Sequence, residues 1–275
     1  MPSTVLITGC SSGIGAAAVQ AFAAEGWNVA ATLRRPESTH FESDRGTIEA
    51  FALDVTDRSS IDAAIGQVMA RFGRIDVLIN NAGYGLFGPF ETASPESIER
   101  QFQTNVFGLF DVTRAVLPIL RAQGSGVIIN VASLSGLVAM PLYSLYAASK
   151  FAVVGFSESL SHELAPLGIR VKVFARGAVA TAFSGRSMAR TFEGDGGAYA
   201  GLIRQAAAAF AANRASGATA TPEQLGQALF GAATDGSPQV RYVVGDDALA
   251  VMQLRREVGE EALLGVIHQR AALSN

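Results

Sequence analysis

Tyr146 and Lys150 stand four residues apart in the stretch SLYAASK, residues 144 to 150. Residues at that interval lie one above the other on a helix face, so a helix here would aim a phenol and an ammonium the same way. Tyr143 is seven residues from Lys150, roughly 10 Å further along the axis at a rise of about 1.5 Å per residue. Only Tyr146 is close enough to feel the ammonium strongly. A nearby cation favours the charged form of a phenol. An unperturbed phenol titrates near 10, so such a pairing brings it toward use as a proton donor or acceptor at neutral pH. Everything between the pair is small (Ala147, Ala148, Ser149), and Lys150 is the first charge after Arg121. Taken alone, the spacing equally fits a helix with a packed tyrosine and a solvated lysine.

A second cluster suits phosphate. VLIT (5 to 8) is followed by Thr8-Gly9-Cys10-Ser11-Ser12-Gly13-Ile14-Gly15 and then by an Ala-rich helical stretch. Glycines permit a tight turn and close backbone approach. The helix N-terminus offers free N–H groups and a partial positive charge to a diphosphate. Further on, the strand NVAAT runs into Leu33-Arg34-Arg35-Pro36 with no acid at its end. An acid at that position holds ribose hydroxyls, whereas an arginine accommodates a 2′-phosphate. The expected cofactor is therefore NADP(H), with NAD(H) as the alternative; otherwise the two arginines are a solvated loop pair.

The elements that must position these groups are legible as short apolar runs alternating with helical patterns. Strands are expected at 5 to 8, 28 to 32, 47 to 54, 76 to 80, 126 to 133, 170 to 175 and 239 to 244. Ile61, Ala64, Ile65, Val68, Met69 and Phe72 recur at helical spacing, and one long helical segment is expected from about Ser94 to Leu120. Such alternation implies an α/β fold, a doubly wound seven-stranded parallel sheet (a Rossmann fold) with helices on both faces. No repeat or linker divides residues 1 to 275, which read as a single domain with an irregular excursion at about 182 to 222. That excursion contains EGDGG and an Ala-rich helix. Asp246 to Ile267 reads as one amphipathic helix covering the sheet edge or forming a subunit contact.

With 49% hydrophobic and only 16% charged residues, the chain has ample material for a buried core. A net charge of −3 gives no basic stripe for nucleic acid. Cys10 is the one cysteine, which excludes an internal disulfide, and His40, His162 and His268 lack metal-ligand spacing, so no metal is expected. MPSTVLITG has no basic leader region, and the longest uncharged stretch, 122 to 149, is broken by Gly124, Gly126 and Pro141. No membrane span and a cytoplasmic location are the expectations.

In order along the chain, these motifs resemble the short-chain dehydrogenase/reductase family. Thr8 to Gly15 match its T-G-x-x-x-G-x-G, and Leu53-Asp54-Val55 its adenine-contacting segment. Asn80-Asn81-Ala82-Gly83 match its N-N-A-G, Asn105 its mid-helix asparagine, and Tyr146-x-x-x-Lys150 its core pair. Ser133, thirteen residues before Tyr146, falls at the family's usual interval. The resemblance implies hydride exchange between nicotinamide and a carbonyl, with Asn105, Ser133, Tyr146 and Lys150 as the catalytic set. Tyr146 is then the acid or base and Ser133 the hydrogen bond to the substrate oxygen. Asn105 holds a water leading from the lysine to solvent. It also implies cofactor contacts from Gly9, Ser11, Ser12, Gly13, Ile14, Gly15, Arg34, Arg35, Asp54, Val55, Asn81, Ala82, Gly83, Tyr146, Lys150, Val179 and Thr181, and a homodimer or homotetramer.

One departure stands out. Where the family has Pro-Gly after the sixth strand, this chain has Arg176-Gly177. Arg176 is expected to point to solvent; the alternative is contact with a phosphate or an anionic substrate. Leu86, Phe87, Phe90, Leu134, Leu137, Val138, Met140, Leu142, Tyr143 and Phe183 supply apolar candidates for a pocket wall. They suit a small hydrophobic ketone or secondary alcohol as substrate. A 3-ketoacyl-thioester reductase is the second reading, although the sequence shows no clear basic surface for an acidic carrier. A non-catalytic dinucleotide sensor is a third, from another class.

Overall fold

The computed structural model describes residues 2 to 179, 188 to 215 and 219 to 272. Its strands are β1 (Thr4–Thr8), β2 (Asn28–Leu33), β3 (Ile48–Ala52), β4 (Val77–Asn80), β5 (Gly85–Phe87), β6 (Gly126–Val131), β7 (Ile169–Arg176), β8 (Met188–Arg190) and β9 (Arg241–Val244). Its helices are α1 (Gly13–Ala24), α2 (Arg58–Phe72), α3 (Pro95–Phe102), α4 (Gly108–Gln123), α5 (Ser144–Leu164), α6 (Ala200–Ala215), α7 (Pro222–Thr234), α8 (Asp246–Val258) and α9 (Glu260–Ala272).

Seven strands form one sheet in the order β3-β2-β1-β4-β6-β7-β9, and every pairing in it is parallel. All seven runs expected from the sequence are in it. Side chains alternate across β1, so Val5 and Ile7 face α1 and α7 while Leu6 faces α2, α4 and α5. Phe22, Leu225 and Leu229 fill the first layer; Val68, Val112, Val116 and Leu160 fill the second. Each such fully buried side chain contributes about 2 kcal/mol by removal from water. Helix starts carry the expected chemistry. Asp57 accepts from the N–H groups of Ser59 and Ser60, and Thr221 and Gln224 form a reciprocal capping box at α7.

The strand order reverses between β1 and β4, which opens a crevice beyond their C-terminal ends where ligands of such sheets bind. Two expectations need correcting. The long helix from Ser94 is interrupted: α3 ends at Phe102, a π-helical turn spans Gln103–Phe107, and α4 follows. The C-terminal helix is two, α8 and α9, divided at Gly259 with φ +83°. Within the excursion, β8 pairs with β5 in a separate two-stranded sheet. Patterning within a segment carries no signal for that long-range pairing.

Candidate active site

The turn after β1 is built from glycines. Gly9 has φ +74° and Gly13 φ +59°, the left-handed region that side chains avoid. A Cβ on Gly15 would sit 2.3 Å from the Gly9 carbonyl oxygen and 2.6 Å from Asn81 Nδ2. Asn81 locks the turn from the β4 side, donating Nδ2 to the carbonyls of Thr8 at 2.9 Å and Gly9 at 3.1 Å. The Thr8 hydroxyl accepts from the N–H groups of Asn81 and Ala82, both at 3.0 Å. Helix α1 starts here with no acid in its first turn and no side chain capping it, so its N-terminus stays available to an anion. Cys10 turns the other way, buried with its thiol donating to Ile7 O, and burial pushes its pKa up.

This turn forms one end of a cleft of about 760 Å³. Its walls include Gly9, Ser11, Ser12, Gly13, Ile14, Arg34, Asp54, Val55, Asn81, Ala82, Gly83, Tyr146, Lys150 and Val179. Thus fourteen of the expected positions share one cavity. Asp54 is held by Thr56, whose N–H and hydroxyl both donate to Oδ1. Gly15, Arg35, Asn105 and Ser133 are not in its walls. Gly15 serves by letting α1 approach the turn. Thr181 and Phe183 lie outside the described residues.

At the other end, α5 carries Tyr146 and Lys150, 3% and 6% exposed. Lys150 Nζ donates to Val131 O at 2.8 Å, at the end of β6, and lies 5.9 Å from the Tyr146 ring centroid. Burial, with Arg176 second, lowers its pKa to about 7. Of the small residues between the pair, Ala147 and Ser149 are buried and Ala148 is exposed. Ser149 donates to Tyr146 O at 2.7 Å. The closest approach is made from outside the helix: a Cβ on Gly136 would meet Lys150 O at 2.8 Å. Ser133 caps the 3₁₀ turn Leu134–Gly136, its Oγ accepting from Ser135 N at 3.1 Å, which leaves its O–H to donate elsewhere. Leu142, a branched residue with φ +64°, precedes the pair, and its carbonyl accepts from Gly88 N at 2.8 Å. Strain of that kind collects at functional sites.

Asn105 is buried within the π-helical turn, a feature that recurs at functional sites. Its amide accepts from Tyr84 N at 3.0 Å and donates to Tyr84 O at 2.9 Å and Ser149 Oγ at 3.3 Å. A Cβ on Gly83 would lie 3.0 Å from Asn105 Oδ1 and 3.8 Å from Lys150 Nζ, so the two side chains reach the same glycine. Above Tyr146 sits an aromatic cluster. Tyr143 lies 5.9 Å from Tyr146, 5.2 Å from Phe87 and 5.4 Å from Phe210 of α6, ring centroid to centroid. Phe210 gave no sequence signal, because only the folded excursion brings it there.

The expectation for Arg176 is overturned. It is 8% exposed and lines the cleft instead of pointing to solvent, because it closes strand β7 and its Nη1 donates back to Gly177 O at 3.0 Å. Arg100 and Arg190 also reach the cleft from exposed positions on α3 and β8, and neither was singled out by spacing.

A phosphate-ready turn at one end of a cleft and a buried phenol–ammonium pair at the other define a nucleotide-dependent oxidoreductase. The family model for short chain dehydrogenase matches residues 3–191, and the chain belongs to that family. It is a dehydrogenase/reductase acting on CH–OH and C=O groups. Among relatives, 3-ketodihydrosphingosine reductase of Bacteroides thetaiotaomicron is 34% identical over 244 residues, covering 89% of this chain and 88% of that one. A short-chain dehydrogenase of Streptomyces avermitilis superposes with a TM-score of 0.82 at 32% identity, covering 100% and 99% of the two chains. A gluconate 5-dehydrogenase of Burkholderia cenocepacia, solved with NADP and tartrate, gives 0.74 at 25% identity over 90% and 95%. No described helix is long and apolar enough to cross a membrane.

Proposed function

We propose that this chain reduces a hydrophobic ketone, or oxidises the matching secondary alcohol, with NADP(H). The observation that carries the reading is that Tyr146 and Lys150, one turn apart and both buried, wall the same cleft as the glycine turn and Arg34. The residues suit the dinucleotide: a Cβ would fill the cradle at Gly9 and Gly15, and the uncapped α1 N-terminus suits a diphosphate. Arg34 follows β2 with no acid beside it in the cleft wall at that strand end, which suits a 2′-phosphate. The neighbour solved with NADP supports the same choice.

When bound, NADPH supplies hydride to a carbonyl carbon. Tyr146 gives its hydroxyl proton to the carbonyl oxygen as negative charge develops there. The Ser133 hydroxyl, whose oxygen already accepts from Ser135 N, donates to the same oxygen. The Lys150 ammonium, fixed by Val131 O, stabilises the phenolate left behind. Asn105 holds the Tyr84 backbone and lies against Gly83 opposite Lys150, suited to a water that returns the proton. Leu86, Phe87, Tyr143 and Phe210 supply apolar surface for the rest of the substrate.

The test is NADPH consumption with a panel of aryl ketones, diketones and long-chain ketones. Tyr146→Phe should lower kcat about 10²- to 10⁴-fold, the range for a lost general acid, while NADPH still binds. Turnover that survives the substitution would end the proposal. Tight NADPH binding with no turnover on any ketone would favour the sensor. A 3-ketoacyl-thioester reductase is the second reading, favoured by Arg100 and Arg190 on the rim, which supply cations near the cleft.

A further inference from the structure

Helix α8 opens with two carboxylates, Asp246 and Asp247. Acids favour a helix start through its dipole, and exposed Asp246 needs no further explanation. Asp247 is partly buried and holds more. Its Oδ1 accepts from Ala248 N at 2.8 Å, while its Oδ2 accepts from Ala178 N at 2.7 Å and from Asn213 Nδ2 of α6 at 3.3 Å. The last two partners lie 69 and 34 residues away in sequence. One oxygen therefore ties the segment after β7 and helix α6 to the start of α8. The seat is tight: a Cβ on Gly177 would lie 1.9 Å from Asp247 Oδ1, so glycine at 177 is what lets the carboxylate come so close. Gly177 N is itself fixed to Val244 O at 2.9 Å.

The segment that Asp247 holds is a wall of the cleft. Arg176 and Val179 line it, and Gly177 and Ala178 between them meet Asp247. Val179 is also bridged to Ala220, where the chain returns from the excursion. This wall stands at the reactive end. Strand β7 pairs with β6, whose Val131 carbonyl holds Lys150, and Val131, Lys150 and Tyr146 line the same cleft. Three strand steps separate β7 from β1 and its glycine turn, about 14 Å at about 4.8 Å per step. A dinucleotide whose diphosphate rests on that turn and whose hydride is delivered beside Tyr146 extends toward this wall. Helix α6 approaches the same point from the substrate side. Its Phe210, three residues before Asn213, lies 5.4 Å from the Tyr143 ring, which lies 5.9 Å from that of Tyr146. Asp247 thus joins the two surfaces that meet at the reacting atoms.

We propose that Asp247 is a positioning residue for hydride transfer, which fixes the wall at residues 177 to 179, and α6 with it, so that the nicotinamide is held at reacting distance from the carbonyl beside Tyr146. It acts through the Ala178 N–H, whose bond to a carboxylate is of the short, charge-assisted kind. A misplacement of about 1 Å in such a site costs about 10²-fold in rate. The inference rests on the NADP(H) reductase reading and adds a residue to it.

Two ligands separate positioning from general support of the fold. NADPH spans the whole cleft, whereas adenosine 2′,5′-bisphosphate carries only the adenosine end with its 2′-phosphate and has no nicotinamide. Asp247→Ala should weaken NADPH binding, followed by nicotinamide fluorescence, by about tenfold or more, and leave the affinity for the bisphosphate, followed by calorimetry, within about threefold. At saturating NADPH it should also lower kcat by about 10- to 100-fold. Gly177→Ala, which displaces the same carboxylate from the other side, should give the same split. Asp247→Asn, which keeps one accepting oxygen, should restore part of the loss. Equal weakening of both ligands in Asp247→Ala and Gly177→Ala would show a general structural role and overturn the proposal. So would NADPH affinity and kcat that stay unchanged in both variants. If the wild-type protein binds neither ligand, the NADP(H) reading itself fails; if it binds both and the variants match it, only the role of Asp247 falls.

Discussion

At the scale of the residue, charge governs the cleft. Arg34→Asp places a carboxylate where the 2′-phosphate is expected, and should shift the kcat/KM ratio of NADPH to NADH toward NADH by about tenfold or more. Steady-state kinetics with both coenzymes check this. Lys150 makes a prediction of opposite kind, about stability. Burial lowers its pKa from 10.5 to about 7, so between those values the unfolded chain binds more protons than the folded one. Stability of the cofactor-free protein should therefore rise as pH increases from 7 toward 10.5. Lys150→Met should remove that slope and raise stability at pH 7 by roughly 2–5 kcal/mol, measured by denaturant titration, while turnover is lost. The nearness of Tyr146 to Lys150 was legible because their spacing is local: the two share one helix face, and the glycine turn is one short loop. The orientation of Arg176 was not, because a strand end meets solvent or a cavity according to what packs over it.

At the scale of the element, close packing decides. Helices α1 and α7 cross with almost no gap at Gly226, where a Cβ would lie 2.7 Å from the Ala17 carbonyl carbon and oxygen. Both obstructing atoms are backbone, so relief requires the helices to separate. Gly226→Ala should destabilise the fold by about 1–3 kcal/mol, seen as a lowered urea midpoint. It should also weaken NADPH binding, since α1 carries the phosphate turn. Strand positions were readable from apolar runs because a parallel sheet covered on both faces demands them. The break between α3 and α4 was not, since Phe102, Val106 and Leu109 keep helical spacing across it and the extra residue of a π turn leaves no compositional mark. The pairing of β5 with β8 was equally hidden, because Gly85–Phe87 and Met188–Arg190 lie about a hundred residues apart.

At the scale of the molecule, a polar knot joins the far side of the sheet. Lys172 of β7, 1% exposed, donates to Ala232 O at 2.7 Å, Asp235 Oδ1 at 2.6 Å and Tyr242 Oη at 2.8 Å. It ties the end of α7 and strand β9 to the sheet. Burial raises the pKa of Asp235, but hydrogen bonds from Lys172 and Tyr242 outweigh it and bring it down to about 2. Its contribution is therefore present above pH 3.8 and is lost as pH falls through 2. Asp235→Asn should cost about 1–2 kcal/mol at pH 7, because the buried Lys172 ammonium loses its counter-charge while Asp235 itself stands in solvent, and should flatten the acid limb of a urea-midpoint profile. The cleft on the opposite rim has a wider consequence. Its walls run from Gly9 to Arg190 and draw on the ends of β1, β2, β3, β4, β6 and β7. A molecule lying along it bridges nearly the whole sheet, so it cannot be released by one loop opening while the rest holds. Coenzyme at a hundred times its dissociation constant would add about 2.7 kcal/mol against global unfolding. The supply of reduced dinucleotide in the cell then sets how long each copy of the polypeptide survives proteases as well as how fast it works.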